Sequence, residues 1–167
     1  VFGERLMMRI LYQILRTGIV TEAMPREITA RIEAAGGRIA ILPVRSKNPL
    51  EIVANASRLA RLVAIEKADL IHARSRAPAW SALIAARRAG IPFVTTWHGA
   101  YRAGTPWKRF YNSAMARGDL VIANSAFTAR AVLDSADAAA RLKIIHRGAD
   151  IEEFNPRQVP AERIDAI

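Results

Sequence analysis

The 167-residue sequence has no cysteine, which excludes disulfides and thiolate chemistry. It has no apolar run approaching the roughly 18–20 residues needed to cross a bilayer. Its first residues, Val1-Phe2-Gly3-Glu4-Arg5, lack a basic region leading into an apolar stretch, so no signal peptide is predicted. A cytoplasmic location is then the default expectation. Also missing are a G-x-G-x-x-G loop and a G-x-x-x-x-G-K-[ST] loop, which argues against a standard dinucleotide site or a P-loop. There is no closely spaced metal-ligand cluster and no G-x-S-x-G nucleophile elbow. No nucleic-acid-binding module is recognisable, and the aromatic residues are not grouped as a stacking platform.

What is present suits one folded α/β domain with a real core. The composition is 51% hydrophobic and 24% charged, ordinary for a globular domain of this length. The outlying quantity is a net charge of +10, which attracts polyanions such as nucleic acid, anionic headgroups or phosphorylated substrates. The basic residues, among them Arg58, Arg61, Arg87, Arg88, Lys108, Arg109 and Arg117, spread across most predicted helices. Such a distribution is also that of a solvated surface.

Strand patterns alternate with helical ones, the signature of a parallel sheet covered by helices on both faces. Leu6, Met7, Ile10, Leu11, Ile14 and Leu15 predict a helix over Glu4–Arg16 ending at Gly18. A short strand at Ile19–Thr21 and a helix from Pro25 closed by Gly36-Gly37 follow, and then a strand over Arg38–Val44. Asn48-Pro49 starts a helix with Ile52, Val53, Ala56, Leu59, Ala60 and Val63 on one face. Further strands are predicted at Asp69–Ala73, Ile91–Trp97, Asp119–Ala123 and Leu142–His146. The helices between them run from Pro78 to Arg88, from Thr105-Pro106 to Arg117, and from Ser125 to about Leu133, with Gly90 and Gly118 as stops.

Ligands of open parallel sheets bind beyond the carboxyl ends of the strands. All three histidines, His72, His98 and His146, fall at or near such ends. A histidine there serves equally well to bond a neighbouring loop. His98 has more around it: Gly99 allows a sharp turn or a close ligand, and a loop with Tyr101, Arg102 and Gly104 follows. Arg74 and Arg76 flank a predicted helix start, where an anion is already favoured; two solvated loop arginines are the simpler alternative.

Several segments together carry a family likeness. They are Ser46–Pro49, Asp69–Trp80, Pro92–Gly99, Tyr111–Asp119, Ala123–Ser125 and Arg147–Asp150. In order and spacing the chain resembles the N-terminal domain of family 4 (group 1) glycosyltransferases, the GT-B enzymes with two Rossmann-like domains. The likeness is greatest to bacterial enzymes of lipopolysaccharide and other envelope glycans. It implies a Rossmann-like domain over 1–150, the start of an interdomain linker at 151–167, and a retaining transfer of a sugar from a nucleotide-sugar donor to a glycan or lipid-linked acceptor. His98 matches a family histidine that faces the cleft and stabilises charge. Gly99, Tyr101, Arg74, Arg76 and His72 are the expected substrate-binding residues. Gly3, Glu4 and Arg5 match the end of a glycine-rich loop near the donor phosphates, although Phe2 stands where a second glycine belongs.

By the same resemblance the family's first strand and its donor domain, with its Glu-x7-Glu pair, are expected to lie outside this sequence, so the chain alone is expected not to turn over. No cofactor and no metal are expected, and the nucleotide sugar is a substrate. An anionic membrane surface is among the expected partners and nucleic acid is not. The competing expectation is an inactive module of the same fold that binds a glycan or lipid acceptor.

Overall fold

The computed structural model describes residues 10–13, 30, 34, 40, 42–44, 46–100, 104–135 and 138–148. Among these, five parallel strands stand side by side in chain order: β1 (Ile10–Gln13), β2 (Leu70–Ala73), β3 (Phe93–Trp97), β4 (Leu120–Ala123) and β5 (Leu142–Ile144). Helices α1 (Pro49–Glu66), α2 (Arg76–Ala89), α3 (Pro106–Ser113) and α4 (Ala126–Ser135) precede or connect β2 to β5. The α/β class with a parallel sheet is the one expected.

Local chemistry sets the helix ends. The Asn48 carboxamide accepts from the Leu50 amide at 2.9 Å, and Pro49 enters the first turn without forfeiting a bond. Thr105 and Ser125 do the same for α3 and α4, accepting from the amides of Lys108 and Thr128 at 3.3 and 3.1 Å. Gly90 closes α2 at φ 66°, the left-handed region that glycine tolerates freely. Lys67 closes α1 in the same region, at φ 50°.

Strands β2, β3 and β4 bury one face fully. Ile71, Ala73, Phe93, Thr95, Trp97, Val121 and Ala123 alternate onto that face and are shielded from solvent. Ala79, Ala82 and Ala86 let α2 approach it closely, with Met115 and Val132 completing the cluster. Burying rings such as Phe93 and Trp97 contributes roughly 2–3 kcal/mol each. Helix α1 lies against α2, where the Ser81 hydroxyl donates to the Ile52 carbonyl at 3.1 Å. On the opposite face His72, Val94, Leu120 and Ile122 remain half-buried.

Two polar ties hold β3 in place. The Met115 carbonyl, in a 3-10 turn over Ala114–Ala116, accepts from Thr95 Oγ1 at 2.6 Å and from Trp97 Nε1 at 3.1 Å. At the strand's start, Asp119 takes two bonds from Arg87 at 2.9 and 3.0 Å and one from the Phe93 amide at 2.8 Å. The Arg87 hydrogen bonds hold the Asp119 carboxyl below its usual range and the Phe93 amide adds to this, against the opposing effect of burial.

Three expectations need correction. The helix over Glu4–Arg16 is contradicted at Ile10–Gln13, which pairs as a strand with β2. A short apolar run fits either period, and an open sheet edge with unpaired backbone groups decides the matter. The strand over Arg38–Val44 is absent at residues 40 and 42–44. There Pro43 has no amide to give, and its carbonyl accepts from the buried Asn55 side chain of α1 at 2.8 Å. The third α-helix ends at Ser113, because the chain tightens into the 3-10 turn that presents the Met115 carbonyl.

Gly118 marks a close approach. A Cβ there would lie 2.7 Å from the Leu120 carbonyl oxygen and 3.2 Å from that of Phe93. Backbone cannot give way as a flexible side chain can, so Gly118→Ala is expected to lower stability by about 1–3 kcal/mol. An unchanged urea midpoint would contradict this packing.

Candidate functional site

The carboxyl ends of β2, β3 and β4 are neighbours, with Ala73 beside Thr95 and Trp97 beside Ala123. The half-buried His98 leaves β3 at this edge. Asn124, leaving β4, ties the two strand ends together. Its backbone amide donates to the Trp97 carbonyl at 3.4 Å and its side chain to the His98 carbonyl at 3.5 Å. Asn124 is held in turn by Thr128, whose hydroxyl donates to its Oδ1 at 2.8 Å.

The His98 ring is set by Arg147, which lies beyond β5. Arg147 Nη2 stands 2.6 Å from His98 Nδ1. A guanidinium is permanently protonated and can only donate, so Nδ1 is the acceptor and the ring proton sits on Nε2. An imidazole fixed in this way offers an N–H donor at the sheet edge, suited to a sugar hydroxyl or a developing negative charge.

His72 belongs to the same edge. It projects from the half-buried face of β2, and its Nε2 lies 2.7 Å from Thr96 Oγ1. Burial pushes its pKa down to about 4, and positive charge on Arg74 or His98 acts in the same direction. His72 is therefore a neutral hydrogen-bonding group at neutral pH.

The other expected residues separate. Arg74 is exposed and acts electrostatically on His72. Arg76, the first residue of α2, turns toward α3 and donates to Asn112 Oδ1 at 3.2 Å. The two arginines thus engage different neighbours. Gly99 is half-buried, and a Cβ there would meet nothing within 4 Å among the described residues. His146 is exposed beyond β5. Tyr101 and Gly3, Glu4 and Arg5 lie outside the described residues. Among the described residues no group of three or more His, Asp or Glu could hold a metal ion. Sequence reasoning missed the roles of Asn124, Thr96 and Arg147; all three stood in segments of the family likeness, but as motif letters without a partner.

Known proteins share the fold and identify the family. The family model for Glycosyltransferase Family 4 matches residues 16–153. The chain belongs to Glycosyltransferase Family 4. A glycosyltransferase from Rickettsia africae, solved by crystallography, is 30% identical with a TM-score of 0.65, over 83% of this chain and 37% of its own. HepE from Anabaena, in complex with UDP, is 19% identical with a TM-score of 0.64, over 84% of this chain and 39% of its own. The same protein in complex with UDP-glucose superposes with a TM-score of 0.61 at 21% identity, over 84% and 39%. No curated protein matches the chain. This family 4 chain therefore spans under two fifths of the length of those solved structures.

The depressed pKa of His72 has a thermodynamic consequence. Between about pH 6.5 and pH 4 the unfolded chain binds a proton at this position that the folded one refuses, so stability falls as pH drops through that window. His72→Asn is expected to flatten that part of the stability–pH curve, as followed by urea titrations at several pH values. An unaltered slope would show that His72 is not the group responsible.

Proposed function

We propose that this chain is the acceptor-side domain of a retaining glycosyltransferase that moves a sugar from a nucleotide-sugar donor to a glycan or lipid-linked acceptor hydroxyl. The observation that carries the reading is the fixed His98 ring, a defined Nε2–H donor at the carboxyl edge of the sheet of a family 4 chain. UDP and UDP-glucose in the HepE structures support a nucleotide diphosphate sugar as donor. In the transfer, the bond from the anomeric carbon to the donor phosphate breaks. A new bond forms to the acceptor oxygen on the same face, and the hydroxyl proton leaves toward the departing phosphate. His98 positions the sugar and stabilises charge as that bond breaks, and His72, neutral and bonded to Thr96, lines the acceptor side. Charge stabilisation is assigned to these protein donors rather than to a metal ion. Envelope glycan or lipopolysaccharide assembly on the cytoplasmic side of an anionic membrane is the setting this reading favours.

In a polypeptide joining this chain to a donor-binding domain, His98→Ala is expected to lower turnover by about 10²–10³-fold. Its unfolding free energy should move by less than about 1 kcal/mol. Turnover equal to the parent's would refute the assignment of His98. The 167-residue chain alone is expected to give no transfer.

A further inference from the structure

The positive surplus is more local than the spread of basic residues over the helices implied. From Leu70 to Gly118 the chain runs 49 residues without one acidic side chain and carries eight arginines and lysines. Eight of the ten net charges thus come from the stretch that builds β2, α2, β3 and α3.

Aromatic residues gather in the same stretch, in space though not along the chain. Trp107 and Phe110 on α3 are 66% and 51% exposed, and their rings stack 5.7 Å apart at 28°. Phe110 stacks in turn on Trp80 of α2 at 4.9 Å and 26°. Trp80 is fixed by its indole N–H, which donates to the Tyr111 carbonyl at 3.0 Å, and by the Arg117 guanidinium 5.2 Å from its ring centre. Lys108 and Arg109, which lie between Trp107 and Phe110 in sequence and flank the ring face on the helix, are exposed. This corrects the expectation that the aromatics are ungrouped. Two exposed rings braced by a third, on a helix with flanking cations, have the composition of an interfacial helix: rings for the headgroup boundary, cations for lipid phosphates.

We propose that α3 seats this domain on an anionic phospholipid surface, with Trp107 and Phe110 entering the headgroup layer and Lys108 and Arg109 facing the lipid phosphates. The charge argues for lipid over an apolar protein partner, because the exposed Lys108, Arg109 and Arg117 near these rings are attracted to anionic headgroups and gain further as each nears them. Only a short loop in sequence separates His98 from α3, so docking through α3 holds the domain that carries His98 at the surface where lipid-linked hydroxyls are presented. The inference rests on the reading that the chain serves an acceptor at an anionic membrane, and it names the segment that makes the contact.

The test is cosedimentation of the 167-residue chain with vesicles of phosphatidylethanolamine and phosphatidylglycerol, against phosphatidylcholine alone, at low and high salt and with no sugar nucleotide present. Binding is expected only to the anionic vesicles and is expected to weaken with salt. Lys108→Gln with Arg109→Gln should weaken it by about 25-fold, roughly fivefold per charge. Trp107→Ala with Phe110→Ala should weaken it by about tenfold or more. Lys108 and Arg109 are exposed, so the glutamine pair should unfold near the parent's midpoint; the alanine pair gives up the Phe110–Trp80 stack, and its circular dichroism spectrum should show that it still folds. Trp107→Phe keeps an apolar ring and should still bind, but with less quenching of tryptophan emission by brominated lipid. If the parent binds anionic vesicles and both double variants bind equally well, α3 is not the contact although the membrane reading stands. If the parent does not bind, both fall. Tighter binding to single-stranded oligonucleotide, lost with the same substitutions, would overturn the proposal in favour of nucleic acid.

Discussion

The arrangement depends on one carbonyl group. Met115 is fully buried, and its carbonyl oxygen takes hydrogen bonds from Thr95 and Trp97, two residues on the same face of β3. A buried carbonyl without partners would be penalised by about 1–3 kcal/mol, and a buried indole N–H or hydroxyl likewise. Satisfying all three at one point forces the chain after α3 into a 3-10 turn beneath the sheet. That turn sets where α3 lies and how β3 delivers His98 to the edge. The aromatic cluster on α3 and the histidine at the strand end are therefore positioned by the same buried contact.

The two ends of β3 are built differently. At the amino end, close packing at Gly118 and the bidentate Arg87–Asp119 pair leave no room for adjustment. At the carboxyl end, Asn124, His98 and Arg147 are joined by longer or partly exposed hydrogen bonds. Rigid packing at one end with a polar, adaptable network at the other is how open parallel sheets hold a ligand without surrendering stability.

Most of the fold from Asn48 onward was readable from local signals. Asn48-Pro49, Thr105-Pro106, Ser125 and Gly90 each state a helix boundary through a specific backbone bond or dihedral. The β-branched run at Phe93–Trp97 states a strand. Before Asn48 the local signal was ambiguous: an apolar run near Ile10 fits helix or strand, and the choice came from a sheet edge about sixty residues away in sequence. The candidate site was half legible. His98 announced itself by standing before a glycine at a strand end. Arg147 could not, because its partner is 49 residues distant and nothing in its own neighbourhood shows that its guanidinium folds back. The aromatic group was hidden for the same reason: Trp80 and Phe110 meet only because α2 and α3 cross.

The Arg147 contact has a mechanical side. Strand β5 ends at Ile144, and three residues later the chain, on its way out of the sheet, grips the imidazole. A hydrogen bond of 2.6 Å does not survive being stretched by an ångström or so. Without it Nδ1 is released and the ring proton can sit on either nitrogen. Which ring nitrogen of His98 carries the proton is thus decided by an arginine from beyond strand β5, 49 positions along the chain.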